Sequence, residues 1–265
     1  MSRSNPTAEN PHPCQLWLEW KGGEGHLSFW DKNRGENGER VAIDVSKKPF
    51  RCIVLDRTAT VRGYSKPRKS GLYANEVRDT RGEALTVRFF DGKEIIASGL
   101  WANIKDTVTS KRNGGGFAVN LYMAYKEGND LRIGAFQIGG CALGPWFEFE
   151  KKNRKAILEK GLVIGRGNPE ESGGVDFVPP TFGICEVSPE TDLQAKKLDV
   201  ELQAFLTEYF SRAAVPVAHA STPTPTMPHL PAGEAPHPAA AEPTPDAYDA
   251  QPEAPPEPDE EEIPF

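Results

Sequence analysis

The sequence predicts a mainly β domain, a small barrel or sandwich with added helices, followed by a disordered, proline-rich acidic tail. Residues 83–90 and 117–126 alternate apolar and polar side chains with the period of two that is typical of β-strands. Glycine-containing turn signals separate several such short segments, which favours a barrel or a sandwich. Residues 213–258 carry 13 prolines and almost no aliphatic clusters. That stretch cannot bury enough apolar surface to offset its ordering entropy.

Six strands are predicted along the chain. Alternation predicts the strands at 58–64, 83–90 and 117–126. Short apolar runs predict those at 53–55, 95–97 and 133–138. In the fifth, Phe117, Val119 and Leu121 share one face, which leaves Asn120 and Tyr122 on the other. Turn signals separate the strands at 91–92, 114–116, 128–130 and 139–140. We expect the three glycines at 114–116 to form a flexible loop that can close over a ligand.

Two helices follow the strands. The first covers 145–160 and ends before Gly161. The second covers 189–212, because Ser188 is a good cap, Pro189 suits a first turn, and apolar residues recur at helical spacing after it. We expect this second helix to pack on the sheet.

Composition divides the chain into four parts. Residues 1–13 contain three prolines and are expected to be flexible, and residues 14–212 have the length of one domain with a proper core. Residues 213–258 form the disordered Pro/Ala-rich linker. Residues 259–265 form a separate tip, whose sequence is Asp259, Glu260, Glu261, Glu262, Ile263, Pro264 and Phe265.

The tip joins four carboxylates to a short apolar hook that ends on an aromatic ring. Such a segment can present a ring to a hydrophobic pocket while its acids steer it toward a basic surface. Burial of the Phe265 ring alone would contribute roughly 1.5–3 kcal/mol. The residues therefore predict a weak, rapidly exchanging contact with a partner protein.

This tip resembles the C-terminal tip of bacterial and phage single-stranded DNA-binding proteins, in which acids precede Ile-Pro-Phe or a bare Phe. The resemblance covers seven residues and the arrangement of a proline-rich linker behind a folded domain, and a phage or mobile-element type is the nearest fit. It implies that residues 14–212 contain an OB-fold-like, single-stranded DNA-binding barrel. It also implies that the tip recruits replication, recombination or repair proteins in a bacterial cytoplasm.

The distribution of charge agrees with nucleic-acid binding. The whole chain carries a net charge of −7, but none of its 31 Lys and Arg residues lies beyond residue 212. Ten of its 38 Asp and Glu residues do lie there, which leaves the first 212 residues at +3. A mildly basic body before an acidic tail is the pattern expected when the body binds a polyanion.

Candidate DNA-binding residues are cations and aromatic rings on predicted outward faces or basic loops, since phosphates require cations and bases stack on rings. The set is Arg62, Tyr64, Lys66, Arg68, Lys69, Tyr73, Arg78, Arg88, Phe90, Trp101, Lys111, Arg112, Tyr122 and Lys126. Each aromatic residue could instead be a surface pair or be covered by a helix. Trp101 fits either use, whereas Trp146, beside Phe147 and Phe149, favours the core.

The sequence argues against catalysis, metal binding and membrane insertion. It lacks a phosphate-binding loop, and only His12 and His26 fall in the first 212 residues. Cys14, Cys52, Cys141 and Cys185 show no metal-ligand spacing, so buried free thiols are expected. No apolar run approaches membrane-spanning length, and no leader sequence is predicted. We therefore expect no enzyme activity and no cofactor.

Two functions remain from the sequence. In the first, the domain coats single-stranded DNA without strong sequence preference and the tip recruits enzymes. In the second, the protein is an interaction adaptor whose tip mimics that of a single-strand-binding protein and captures host replication or repair proteins. The oligomeric state stays open, including a homo-oligomer.

Overall fold

A computed structural model describes residues 12–34, 38–92 and 94–213, with side chains as far as Ser211. The linker and tip predicted from the sequence lie outside these residues, apart from Ala213, which closes the last helix. The architecture is mainly β, as predicted, and the described residues contain three α-helices. The strands are β1 (Leu16–Lys21), β2 (His26–Asp31), β3 (Glu39–Ile43), β4 (Phe50–Ser65), β5 (Ser70–Ala74), β6 (Leu85–Phe89), β7 (Ile95–Gly99), β8 (Gly115–Glu127), β9 (Asp130–Gly139), β10 (Gly161–Arg166), β11 (Glu170–Ser172), β12 (Val175–Phe177) and β13 (Pro180–Cys185).

The helices confirm two predictions and add one. They are α1 (Trp101–Thr109), a short 3₁₀ turn (Gly140–Ala142), α2 (Leu143–Glu159) and α3 (Pro189–Ala213). The starts and ends of α2 and α3 lie within two residues of the predicted ones. Ser188 accepts a hydrogen bond from the backbone N–H of Thr191 at 3.2 Å, which is the cap expected there. None of the described helices is long and apolar enough to cross a membrane.

Eleven of the described strands form one mixed sheet in the order β3-β2-β1-β9-β8-β4-β5-β6-β7, in which β10 pairs with β4 and carries β13 on its other edge. The pairing of β1 with β9 is parallel, and the other pairings in this sheet are antiparallel. Within the described residues the path ends at β3 and β7 without joining them. The sheet is therefore not closed, and the prediction of an OB-like barrel is wrong on this point.

The branching comes from the length of β4. Its first residues pair with β10 through Phe50 to Ile53, and its last residues pair with β5 through Arg62 to Ser65, both on the edge opposite β8. A bulge between Val54 and Asp56 keeps the strand paired with β8. The predicted strands 53–55 and 58–64 are thus two parts of one strand. One edge of β4 therefore pairs with two strands, β10 and β5, so the sheet branches at β4 instead of closing.

One face of the sheet carries two apolar cores. The larger core packs α2 against β1, β8, β9 and β10, and its buried members include Leu18, Phe136 and Trp146. Trp146 is 1% exposed, so its predicted place in the core is confirmed. The smaller core packs α1 against β6 and the last part of β4 through Val61, Val87 and related residues. Helices therefore cover this face at both ends.

Helix α3 lies on the opposite face. Leu202 and Leu206 pack against Tyr122 of β8 and Ala135 of β9. The ring of His12 joins this cluster, with its centroid 4.5 Å from that of Phe205. The prediction that residues 1–13 are flexible is therefore wrong for His12, because its ring packs against Trp17, Tyr122 and Phe205. Since α3 covers only part of this face, the part on β4, β5 and β6 stays open.

Candidate nucleic-acid interface

The uncovered part of the sheet brings together five of the residues proposed from the sequence. Arg62 on β4 pairs in register with Tyr73 on β5, and Tyr73 pairs with Arg88 on β6. Residues paired in this way project their side chains from the same face in one row. Tyr64 follows Arg62 by two residues and Phe90 follows Arg88 by two residues, so both side chains extend the same face. We call these residues the open face: Arg62, Tyr64, Tyr73, Arg88 and Phe90.

The three rings of the open face lie close together and reach solvent. Tyr64 is 56% exposed and Phe90 is 62% exposed, which is unusual for large aromatic side chains. The Phe90 ring stacks on Tyr73, with 4.7 Å between centroids and 26° between planes. These rings offer flat apolar surfaces to a planar ligand.

Gly71 determines where the Phe90 ring lies. It pairs with Tyr64 across β4 and β5, and its carbonyl accepts a hydrogen bond from the N–H of Phe90 at 3.0 Å. A Cβ atom at residue 71 would lie 2.7 Å from Cδ2 of Phe90, closer than two carbon atoms can pack. The missing side chain therefore lets the ring lie across β5. Gly71 is not among the residues proposed from the sequence.

A group of cations borders the open face. The turn between β4 and β5 carries Lys66 and Lys69, both exposed. Ser65 donates a hydrogen bond to the carbonyl of Arg112 at 2.6 Å, which holds the segment after α1 against this turn. Among the described residues, no carboxylate forms an ion pair with Arg62, Lys66, Lys69, Lys111 or Arg112. These five charges are therefore available to an anionic ligand.

Arg68 lies in the same turn but has acidic partners. It donates to Asp91 at 3.2 Å and to Glu94 at 2.5 Å, and its guanidinium lies 4.3 Å from the Phe89 ring centroid. Two carboxylates therefore compensate its charge. This arrangement ties the β4–β5 turn to the β6–β7 turn.

Arg78 is engaged elsewhere, beside α3. Its guanidinium donates to Asp56 at 2.7 Å and to Gln203 at 2.8 Å, and it lies over the Phe210 ring. These contacts attach α3 to β4. Arg78 is therefore not part of the open face, and its contacts hold α3 on the sheet.

Tyr122 is buried, contrary to its predicted place on an open surface. It is 1% exposed beneath α3, and its hydroxyl donates to Glu76 at 2.7 Å. Burial, together with the Glu76 carboxylate, raises the pKa of Tyr122, so the hydroxyl keeps its proton and remains a donor. The prediction that this ring stacks on a base is therefore wrong, because alternation does not reveal which outward positions a helix covers.

Lys126 and Trp101 also lie apart from the open face. Lys126 is exposed near the far end of β8, about 30 Å along the strand from Gly116, which pairs with Arg62. Trp101 begins α1 on the opposite side of the sheet and packs against the smaller core, with its ring 5.3 Å from Phe117. Of the two uses left open for Trp101, the structure supports packing.

The glycines at 114–116 do not form a free loop. Gly115 and Gly116 begin β8, in register with Gly63 and Arg62. A Cβ atom on Gly63 would lie 2.6 Å from the Cα of Gly115, so the two strands approach with no room for side chains. The prediction of a loop that closes over a ligand is wrong. Here the glycines serve close backbone packing.

The described residues contain no group of three or more His, Cys, Asp or Glu side chains that could hold a metal ion. Their Cys14, Cys52, Cys141 and Cys185 thiols are free, and Cys52 is buried. The open face and its neighbouring cations combine stacking surfaces with the charges of Arg62, Lys66, Lys69, Lys111 and Arg112, with which no carboxylate of the described residues forms an ion pair.

Comparison of the chain with protein-family models, curated proteins and solved structures gives no match.

Proposed function

We propose that the protein binds single-stranded DNA without strong sequence preference, through the open face and the cations beside it. One observation carries the proposal. Three neighbouring rings and two arginines lie on the part of the sheet that no described helix covers, and Tyr64 and Phe90 are more than half exposed. Burial of these rings against bases would remove them from water and stabilise the complex.

Generic single-strand binding requires aromatic surfaces for the bases and cations for the phosphates. On the open face, Tyr64 lies on β4 and the Phe90–Tyr73 pair lies over β5, one strand spacing away, which is about 5 Å. They can therefore stack different bases of one strand. Lys66, Lys69, Lys111 and Arg112 lie at the end of the same strands, where they can neutralise the phosphates that follow.

Stacking on these rings favours a single strand over a duplex. In a duplex each base stacks on its neighbours, and taking it out costs a few kcal/mol. In a single strand the base faces are accessible at lower cost. The open face also offers no recognition helix with base-reading side chains, so the proposal does not include readout of a long sequence.

Binding of fluorescently labelled oligo-dT, beside a duplex of equal length at two salt concentrations, tests this proposal. We expect the single strand to bind more tightly and its affinity to fall as salt rises. Each phosphate contact contributes roughly 0.7 to the slope of log affinity against log salt for single strands. Anisotropy is the suitable measurement because the open face contains no tryptophan. Equal binding of both DNAs, or none, would contradict the proposal, and no binding would favour the adaptor function.

We also propose that residues 259–265 recruit proteins of DNA replication, recombination or repair in a bacterial cytoplasm. The acids followed by Ile263, Pro264 and Phe265 support this part. A Phe265→Ala variant should lose partner proteins in a pull-down from bacterial extract and keep its affinity for oligo-dT, because it removes the ring that would enter a partner's pocket. Retention of the same proteins by the variant would count against recruitment by the tip.

A further inference from the structure

A pocket of about 510 Å³ lies at the end of β4, between the β4–β5 turn, the start of β7 and helix α1. Its apolar lining comes from Pro67, Phe89, Ile95 and Ile96. This volume lies in the range of small-molecule sites in proteins. It is sufficient for one planar heterocycle.

The pocket adjoins the open face around the edge of the sheet. Ile95 lines the pocket and is the register partner of Arg88 on the open face. Ser65, another lining residue, directly follows Tyr64. A strand that leaves the rings of the open face can therefore place a following base in the pocket.

Three charged side chains line the pocket, Arg68, Glu94 and Arg112, and the first two are joined to each other. Glu94 accepts a hydrogen bond from Arg68 at 2.5 Å, and its side chain is 60% exposed. Arg68 itself rests on the Phe89 ring, so the pair is held in place. An ionised carboxylate has about four lone-pair positions. The bond from Arg68 thus leaves Glu94 able to accept from a ligand.

From this we infer that the pocket takes one guanine base of the bound single strand. The inference rests on the proposed function. Guanine presents two adjacent donors, N1–H and the N2 amino group, on its Watson–Crick edge, and these match the two oxygens of a carboxylate. Adenine and cytosine place a ring-nitrogen acceptor there, which a carboxylate repels. Thymine offers one donor between two carbonyls.

The test compares a labelled oligo-dT with the same oligonucleotide carrying a single guanine or a single adenine at its centre. The full-length protein is expected to bind the guanine-containing strand about fivefold more tightly than either other strand, the lower range for a bidentate base contact. The Glu94→Gln variant should lose this preference, because an amide presents one acceptor and one donor. A Thr107→Phe variant, which fills the pocket from α1, should lose it as well.

Two matched variants control for charge and size. Glu171→Gln removes an exposed carboxylate on β11, and Thr109→Phe adds a ring on another side of α1. Both should keep the guanine preference. Equal binding of the three oligonucleotides, or a preference that persists in Glu94→Gln, would overturn the guanine pocket and leave the proposed function intact. Failure to bind any of them would overturn both.

Discussion

Replacement of both Tyr64 and Phe90 by alanine is expected to weaken oligo-dT binding at least about 30-fold. A base stacked on an aromatic side chain is worth roughly 1–3 kcal/mol, and the variant removes two exposed rings. Two such losses at the lower end of the range give the stated factor. Fluorescence anisotropy with labelled oligo-dT at constant salt measures the change.

Trp30→Ala is the matched control for this pair. Trp30 is 54% exposed, similar to Tyr64, but it lies on β2, from which β1, β9 and β8 separate the open face. We expect its replacement to leave oligo-dT affinity within about twofold, because surface substitutions away from a site have small effects. If the double variant bound oligo-dT with wild-type affinity, the two rings would not be part of the binding site.

A Gly71→Ala variant tests the same rings without removing either. The added methyl group cannot fit beneath Phe90 at its present position, so the ring must move from its stack on Tyr73. Weaker DNA binding in a protein of unchanged secondary structure, measured by circular dichroism, is the expected result. Unchanged affinity would mean that the position of the Phe90 ring does not matter.

Local sequence patterns predicted much of the sheet and both long helices. Alternation marked β6 and β8, and the Ser188-Pro189 start placed α3 within a residue. The N-terminal strands were missed, although Leu16 and Leu18 alternate in β1 and both are buried. This alternation of apolar residues is present in the sequence but short, because the charged residues Glu19 and Lys21 come soon after it.

Closure and coverage could not be predicted in this way. Whether a sheet closes depends on which strand edges pair over long sequence separations. One of the two neighbours that β4 has on the same edge is β10, whose residues lie more than 100 positions further along the chain than their partners in β4. For the same reason the alternation that placed Arg62 and Tyr64 outward also placed Tyr122 outward. Only the packing of α3 distinguishes the open positions from the covered one.

Tyr122→Ala is expected to lower the free energy of unfolding by roughly 3–5 kcal/mol, as for other large buried side chains. The ring packs with Leu202 and Leu206 beneath α3. Its hydroxyl shares the Glu76 carboxylate with the hydroxyl of Thr58, and the amide of Asn120 donates to the other carboxylate oxygen at 2.7 Å. Urea unfolding followed by circular dichroism measures the loss.

Tyr122→Phe separates the hydroxyl from the ring. It keeps the packing but removes one hydrogen bond to a carboxylate, so we expect a smaller loss, about 1–3 kcal/mol. Because the ring lies under α3, DNA affinity measured where this variant is folded should equal that of the wild type. Weaker binding by a fully folded Tyr122→Phe protein would instead mean that α3 moves away and the nucleic acid reaches the buried half of this face. The DNA affinity of the Tyr122→Phe variant therefore determines whether the binding surface ends at α3 or continues beneath it.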